Sequence, residues 1–274
     1  MLFRSMQLLW LALLAAPAQL FAALWARLRG QKVRARRLAC EAASLSPGYY
    51  RWWSANCGSA QIANWCSHRI AVADQASCVA VLILPGEPAL EAITRASVLS
   101  ALPDAVLLAP QATLRASLAK VEADWLIVLR PGDSLAIGIA AVLARVLADC
   151  SADMVFWDHD VVSQTRYPDP VIKPEWDPLL ASRHELLGPA AIMRLNAIWS
   201  LLTENTGDVS LSVAAVGELQ ALLAQSGQPC HIPLVLTHSC NADLWVEAGG
   251  LVTHAEPADW PGVSIIIPSR DHAD

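Results

Sequence analysis

The first 40 residues contain no aspartate and no glutamate. Their seven basic residues (Arg4, Arg27, Arg29, Lys32, Arg34, Arg36 and Arg37) are therefore unopposed, and the other 12 of the 19 Lys and Arg face all 25 acidic residues. A head at +7 is thus joined to a body at −13. The acidic body discourages a polyanion, and with no recognition motif present a nucleic-acid partner is excluded. C-x-x-C spacing is also missing. Seven cysteines, an odd number scattered along the chain, argue against a disulfide framework and against a zinc ribbon, and a reducing cytoplasm is the simpler reading. The pairs Cys230-His231 and His238-x-Cys240 match no common zinc pattern. Charged residues make up only 16% of the chain while hydrophobic ones make up 55%, which excludes disorder. At 274 residues there is enough apolar matter for one large or two small domains.

What is present begins with an apolar run. From Met6 to Ala26 the only polar residues are Gln7 and Gln19, and about 20 residues suffice to cross a bilayer. Pro17 interrupts the run. A cleaved signal would use Arg4 as its positive start and Ala16-Pro17-Ala18 as its cleavage site, but the dense positive charge from Arg27 to Arg37 opposes export. A helix lying in the membrane interface, with Trp10 and Trp25 as anchors, is the other alternative to a span. Residues 1–37 are read as a membrane-associated apolar helix with a basic flank, spanning or interfacial, holding the body at the cytoplasmic face of an inner membrane. Residues 38–77 read as a helical connecting region. Val33 to Leu45, leading into it, has helical composition, Ser46-Pro47-Gly48 stops that helix, and the cluster Tyr49-Tyr50-Arg51-Trp52-Trp53 reads as packing rather than as a platform for a sugar or base.

From Cys78 onward short apolar strands alternate with Ala/Leu-rich helices. The spacing predicts strands at 79–84, 105–109, 125–129 and 153–157, and helices at 87–101, 112–121 and 136–149. This is the pattern of an α/β fold, a parallel-dominated sheet flanked by helices. Ligands of such sheets bind at the carboxyl ends of the strands, which directs attention to Pro85-Gly86-Glu87, Ala109-Pro110-Gln111, Arg130-Pro131-Gly132-Asp133 and Asp158-His159-Asp160.

Three segments carry a resemblance. VSIIIPSRD (263–271), IKPEWDPLLASRHELLGPAAIMR (172–194) and HIPLVLTHS (231–239) resemble, in order, segments of the bacterial family-2 glycosyltransferases that build surface polysaccharides. The likeness covers roughly residues 78–274. It implies a GT-A type domain at 78–240, a linker at 241–262, and at 263–274 the first strand of a second such domain that the chain does not complete. The implied reaction moves a sugar from a nucleotide diphosphate sugar to a lipid-linked or polysaccharide acceptor, with a divalent metal, Mg or Mn, neutralising the departing diphosphate.

Residue by residue, the resemblance makes Asp133 and His238 metal or diphosphate ligands. Arg130 stands where the family has its first metal-binding aspartate, and a guanidinium there is suited to a phosphate. Asp158 and Asp160 match a D-x-D pair and, with Glu87 and Arg130, are the nucleotide-sugar candidates. Asp208 matches the position of the catalytic base. Plainer roles compete with each of these. Asp133 suits a turn with a helix N-cap, Asp158 and Asp160 a solvated strand end, and Asp208 the N-cap of a helix at 209–225. The segment AVLLAPQAT has no acidic residue to read a nucleotide base. A non-catalytic module of the same fold, binding a glycan or a partner, is the alternative function.

Overall fold

A computed structural model describes residues 2–46, 48–69, 77–162, 168–181, 187–204 and 209–240. The linker and strand expected at 241–262 and 263–274, and Asp208, lie outside these residues. The N-terminal part is helical: α1 (Leu2–Ala15), α2 (Pro17–Leu28), α3 (Lys32–Ser44) and α4 (Tyr49–Ser67). The apolar run expected as one helix is divided at Ala16, whose ψ of 68° is not helical, with Pro17 starting the next helix. The division follows from proline chemistry, since Pro17 supplies no N–H to continue α1 yet fits the first position of α2. No helix among the described residues is long and apolar enough to cross a membrane.

The remainder runs β1 (Val79–Ile83), α5 (Pro88–Ala101), β2 (Val106–Leu108), α6 (Leu114–Leu118), β3 (Trp125–Leu129), β4 (Ser134–Leu135), α7 (Ile139–Val146), β5 (Met154–Val161), β6 (Asp169–Val171), α8 (Pro178–Ala181), β7 (Ala191–Arg194), α9 (Leu195–Glu204), α10 (Val213–Ser226) and β8 (Cys230–Ser239). The strands form one eight-stranded sheet in the order β2-β1-β3-β7-β5-β8-β4, with β6 paired to β5. β1 lies parallel to both β2 and β3, with Val81 opposite Ile127. β7 runs antiparallel to β3 and β5, and β8 runs parallel to β5. Five strands (β1, β2, β3, β5, β8) therefore share one direction and β4, β6 and β7 oppose it, the mostly parallel α/β sheet expected from the sequence.

Alternation along the strands builds two cores. Val79, Val81, Trp125, Ile127, Leu129, Val155 and Trp157 face one side and meet α4, α5 and α7 through residues such as Ile62, Val98, Ile139 and Val142. Ala80, Leu82, Leu126, Val128, Met154 and Phe156 face the other and meet α6, α9 and α10 through Leu114, Leu118, Ile198, Val216 and Leu219. Burial on both faces explains why β1 and β3 are unbroken apolar runs. Each large aliphatic side chain here contributes about 1.5–3 kcal/mol, and a charge at Ile127 would break the first core at its centre.

The boundaries differ from expectation where tertiary pairing intervenes. The helix expected from 136 begins at Ile139 because Ser134 and Leu135 first pair with His238 and Thr237 of β8. Gly138, at φ +98°, then turns the chain into α7. β5 continues to Val161 because β8 pairs alongside it as far as Ser239. α6 is shorter than expected and starts at a cap, Thr113 Oγ1 accepting from Ala116 N–H at 3.2 Å.

Candidate functional site

The carboxyl ends of β3, β5 and β8 lie together and carry most of the candidates. At the first corner β3 ends in Arg130. Asp133, three residues on, is fully buried at 0% exposure. Its Oδ2 accepts the Arg130 backbone N–H at 3.0 Å, and its Oδ1 accepts the Ser239 hydroxyl at 2.8 Å and the Cys240 N–H at 3.3 Å. The Arg130 guanidinium, itself 6% exposed, places Nε 3.6 Å from Asp133 Oδ2 and donates from Nη2 to Ser239 Oγ at 2.6 Å. Burial pushes the Asp133 carboxyl above its ordinary range, against the opposing pull of Arg130 and the Ser239 hydroxyl. The turn between them is held by Gly132 at φ +92°, whose N–H donates to Thr94 Oγ1 at 2.8 Å. Thr94 Oγ1 in turn donates to Arg130 O at 3.2 Å.

Asp133 is therefore not the N-cap of the following helix; α7 starts at Ile139 behind Gly138. Arg130 is packed inside the protein against Asp133 and Ser239. A divalent ion of the Mg or Mn type needs several oxygen ligands that are not already accepting from N–H and O–H donors. Asp133 accepts three such bonds, and the described residues contain no group of three His, Cys, Asp or Glu side chains able to hold a metal. The described residues do not fit a divalent ion at this corner.

The second corner is formed by the end of β5. Asp158 and Asp160 are buried, at 3% and 1% exposure, and do not form the solvated strand end expected from the sequence. The cause is the continuation of β5 beside β8. Asp158 Oδ1 accepts the Lys173 backbone N–H at 2.8 Å and lies 3.1 Å from His231 Nε2, while Lys173 Nζ donates to Leu187 O at 2.7 Å. His231 stacks on Phe156 with ring centres 4.8 Å apart. Asp158 thus ties β5, β8 and the segment after β6 into one unit. Asp160 Oδ2 accepts the phenol of Tyr50 at 2.8 Å, and its Oδ1 lies 2.8 Å from His238 Nδ1. Burial and the Asp160 carboxylate push the Tyr50 phenol upward, which keeps it a donor. Between the two aspartates, His159 is pushed down to about 3 by burial and by Lys173 and Arg130, so its ring is neutral at physiological pH. Its Nδ1 has no hydrogen-bond partner among the described residues.

His238, 30% exposed, opens onto a cavity of about 470 Å³ between α4, α5 and the β4–β8 edge. Tyr50, Trp53, Ser59, Ser97 and Ser134 line it as well. Tyr50 stacks on Trp53 with ring centres 5.9 Å apart. Aromatic faces beside hydroxyls and a carboxylate-held imidazole suit a ligand with many hydroxyls, because C–H groups pack on the rings while O–H groups exchange hydrogen bonds with the polar rim.

The structure thus brings Arg130 and Asp133 into one cluster and Asp160 and His238 into another, with Asp158 in a third, neighbouring set. Glu87 stays apart, exposed at the start of α5 with no side-chain cap bond; Glu91 instead accepts the Gly86 N–H at 2.8 Å. α10, expected from residue 209 with Asp208 as its cap, starts at Val213 and is capped by Ser212, which accepts from Ala215 N–H at 3.2 Å. Reading the sequence missed Tyr50 and Ser239 as members of these clusters. Lys173 and His231 stood inside the quoted motifs KPEW and HIP, and that was a usable signal. Tyr50 had none, since its partner lies 110 residues away.

No protein-family model matches the sequence, and no curated protein matches it. Among solved structures, the chain is similar to the crystal structure of residues 1–349 of S. aureus TarS, at 9% identity and a TM-score of 0.43 over 60% of each chain. The same protein in complex with UDP-GlcNAc gives 10% identity and a TM-score of 0.43 over 65% of this chain and 62% of that one. Its complex with UDP gives 10% and 0.40 over 60% of each. The likeness spans less than two thirds of those chains.

Proposed function

We propose that residues 78–240 form a glycosyltransferase-like unit that serves cell-surface glycan assembly by holding a glycan, and that this chain turns over a nucleotide-sugar donor poorly. Support for the glycosyltransferase class comes from the two segments within the unit, 172–194 and 231–239, that resemble family-2 enzymes, and from a third beyond it at 263–271. The observation that carries the rest is the Arg130–Asp133–Ser239 cluster, which fills with internal hydrogen bonds the place where the resemblance expects a carboxylate-held metal. A donor diphosphate needs a cation clamp as its charge develops, and a buried, already paired guanidinium does not provide one. The cavity beside His238 and Trp53 is the proposed seat of the glycan, from a lipid-linked or polysaccharide acceptor.

Calorimetric titration of the purified chain separates the possibilities. Nucleotide sugars, with and without Mn²⁺, are expected to give no metal-dependent binding, while short oligosaccharides are expected to bind and to lose affinity in Trp53→Ala. Metal-dependent donor binding with measurable sugar transfer would overturn the proposal in favour of an ordinary transferase, in which Asp208 is the residue to test as base.

A further inference from the structure

The three N-terminal helices leave open a long apolar trough. It measures about 1150 Å³ and is walled by Met6, Leu9, Trp10, Leu13, Phe21 and Leu24. Many of the protein's exposed large hydrophobic side chains lie in this unit, with Phe21 at 66%, Trp25 at 57% and Leu24 at 55% exposure. Among the described residues of the unit, those buried against one another are small, Ala12, Ala42 and Ala43. A contiguous exposed apolar surface of this extent marks an interaction site. The lining also has a charge of one sign. Arg27, Lys32 and Arg36 edge the trough and no acidic side chain lines it; outside the lining, Arg29 stacks over Trp25 at 4.8 Å.

From this we infer that α1–α3 form an in-plane anchor for an anionic lipid bilayer, with the trough side facing the acyl chains and Arg27, Lys32 and Arg36 at the phosphate level. Charge complementarity selects this occupant over a second copy of the chain. Two copies would bring two basic segments against each other, since the one acid of α1–α3, Glu41, is already paired with Arg37, whereas a phosphate-bearing surface neutralises them. The break at Ala16-Pro17 favours lying in the interface over crossing it, because neither half is long enough to span. Aromatic residues at Trp10 and Trp25 have the amphipathic character that places such rings at the headgroup boundary. The inference is independent of the glycan reading above.

Co-sedimentation of the full chain with vesicles tests it. Vesicles of equal parts phosphatidylglycerol and phosphatidylcholine are expected to pull the protein down, and pure phosphatidylcholine to do so weakly. The triple variant Arg27→Gln/Lys32→Gln/Arg36→Gln should weaken binding to the mixed vesicles on the order of a hundredfold, as three lost charge contacts at an anionic surface imply. Leu24→Glu/Trp25→Glu should abolish binding while leaving thermal unfolding of the α/β unit in place, since both side chains are exposed. Binding indifferent to lipid charge would overturn the inference. So would absence of vesicle binding together with a dimer, seen by light scattering, that Leu24→Glu/Trp25→Glu dissociates.

Discussion

Asp133 and Asp160 are the same chemical group, buried to the same degree at the same end of one sheet, yet they do different things. Asp133 receives its hydrogen bonds from the backbone of Arg130, from Ser239 and from Cys240, with the buried guanidinium of Arg130 beside it. Asp160 is bound by Tyr50 and His238, and both of those side chains line the cavity. The first carboxylate stabilises a turn; the second orients groups that a ligand can reach. Availability to a ligand is therefore decided by where a carboxylate's partners sit, since a buried acid must be satisfied by something.

The largest effect is expected from opening the first corner. Arg130→Met leaves the Asp133 carboxylate buried without its cation and should cost about 3–5 kcal/mol, read as a lowered midpoint in urea unfolding. The double variant Arg130→Met/Asp133→Leu should recover much of that loss, because it removes both charges together. A double variant no better than the single one would show that the corner acts through more than charge pairing.

Acid should act next, through the histidine between the corners. The folded-state pKa of His159 is near 3, below the ordinary 6.5, so the unfolded chain takes up the proton first. The stability it supports is complete above pH 6.5 and is lost as pH falls from 6.5 towards 3. Thermal midpoints at pH 7.5 and 4.5 should therefore differ more in the wild type than in His159→Phe. Equal differences would remove His159 from the account.

At the second corner, Tyr50→Phe deletes one hydrogen bond to a carboxylate and should cost about 1.5–3 kcal/mol. It should also weaken oligosaccharide binding, because α4 loses its tie to Asp160, and calorimetry on the folded variant reads that directly. Arg130→Met refolded in stabilising osmolyte should leave that binding in place if the two corners are separate. The smallest effect returns to the first corner. Gly132→Ala puts a side chain at φ +92° and its Cβ against the Cys240 side chain, for about 1–3 kcal/mol of strain. Adding Cys240→Ala should relieve the contact with Sγ but neither that with the Cβ of residue 240, at 3.1 Å, nor the backbone cost.

Much of this fold was legible in the residues alone. Val79 to Ile83 and Trp125 to Leu129 are apolar without interruption because both of their faces are covered, and no partner need be known to read such a run as a strand. The stop before Tyr49 is equally local, written in residues that act on their own backbone. Acid-free charge at the head and apolar residues around it also stand in the order of residues. Tertiary structure decided the rest. β4 exists only because β8 pairs with it, and β5 reaches Val161 only because β8 extends beside it. Asp158 and Asp160 looked like a solvated strand end until that pairing buried them. Tyr50 and Ser239 become partners of Asp160 and Asp133 across 110 and 106 residues of chain. Local propensity is a property of neighbouring residues, and the burial of a charge is not: it depends on which distant groups the packed sheet brings within hydrogen-bonding distance.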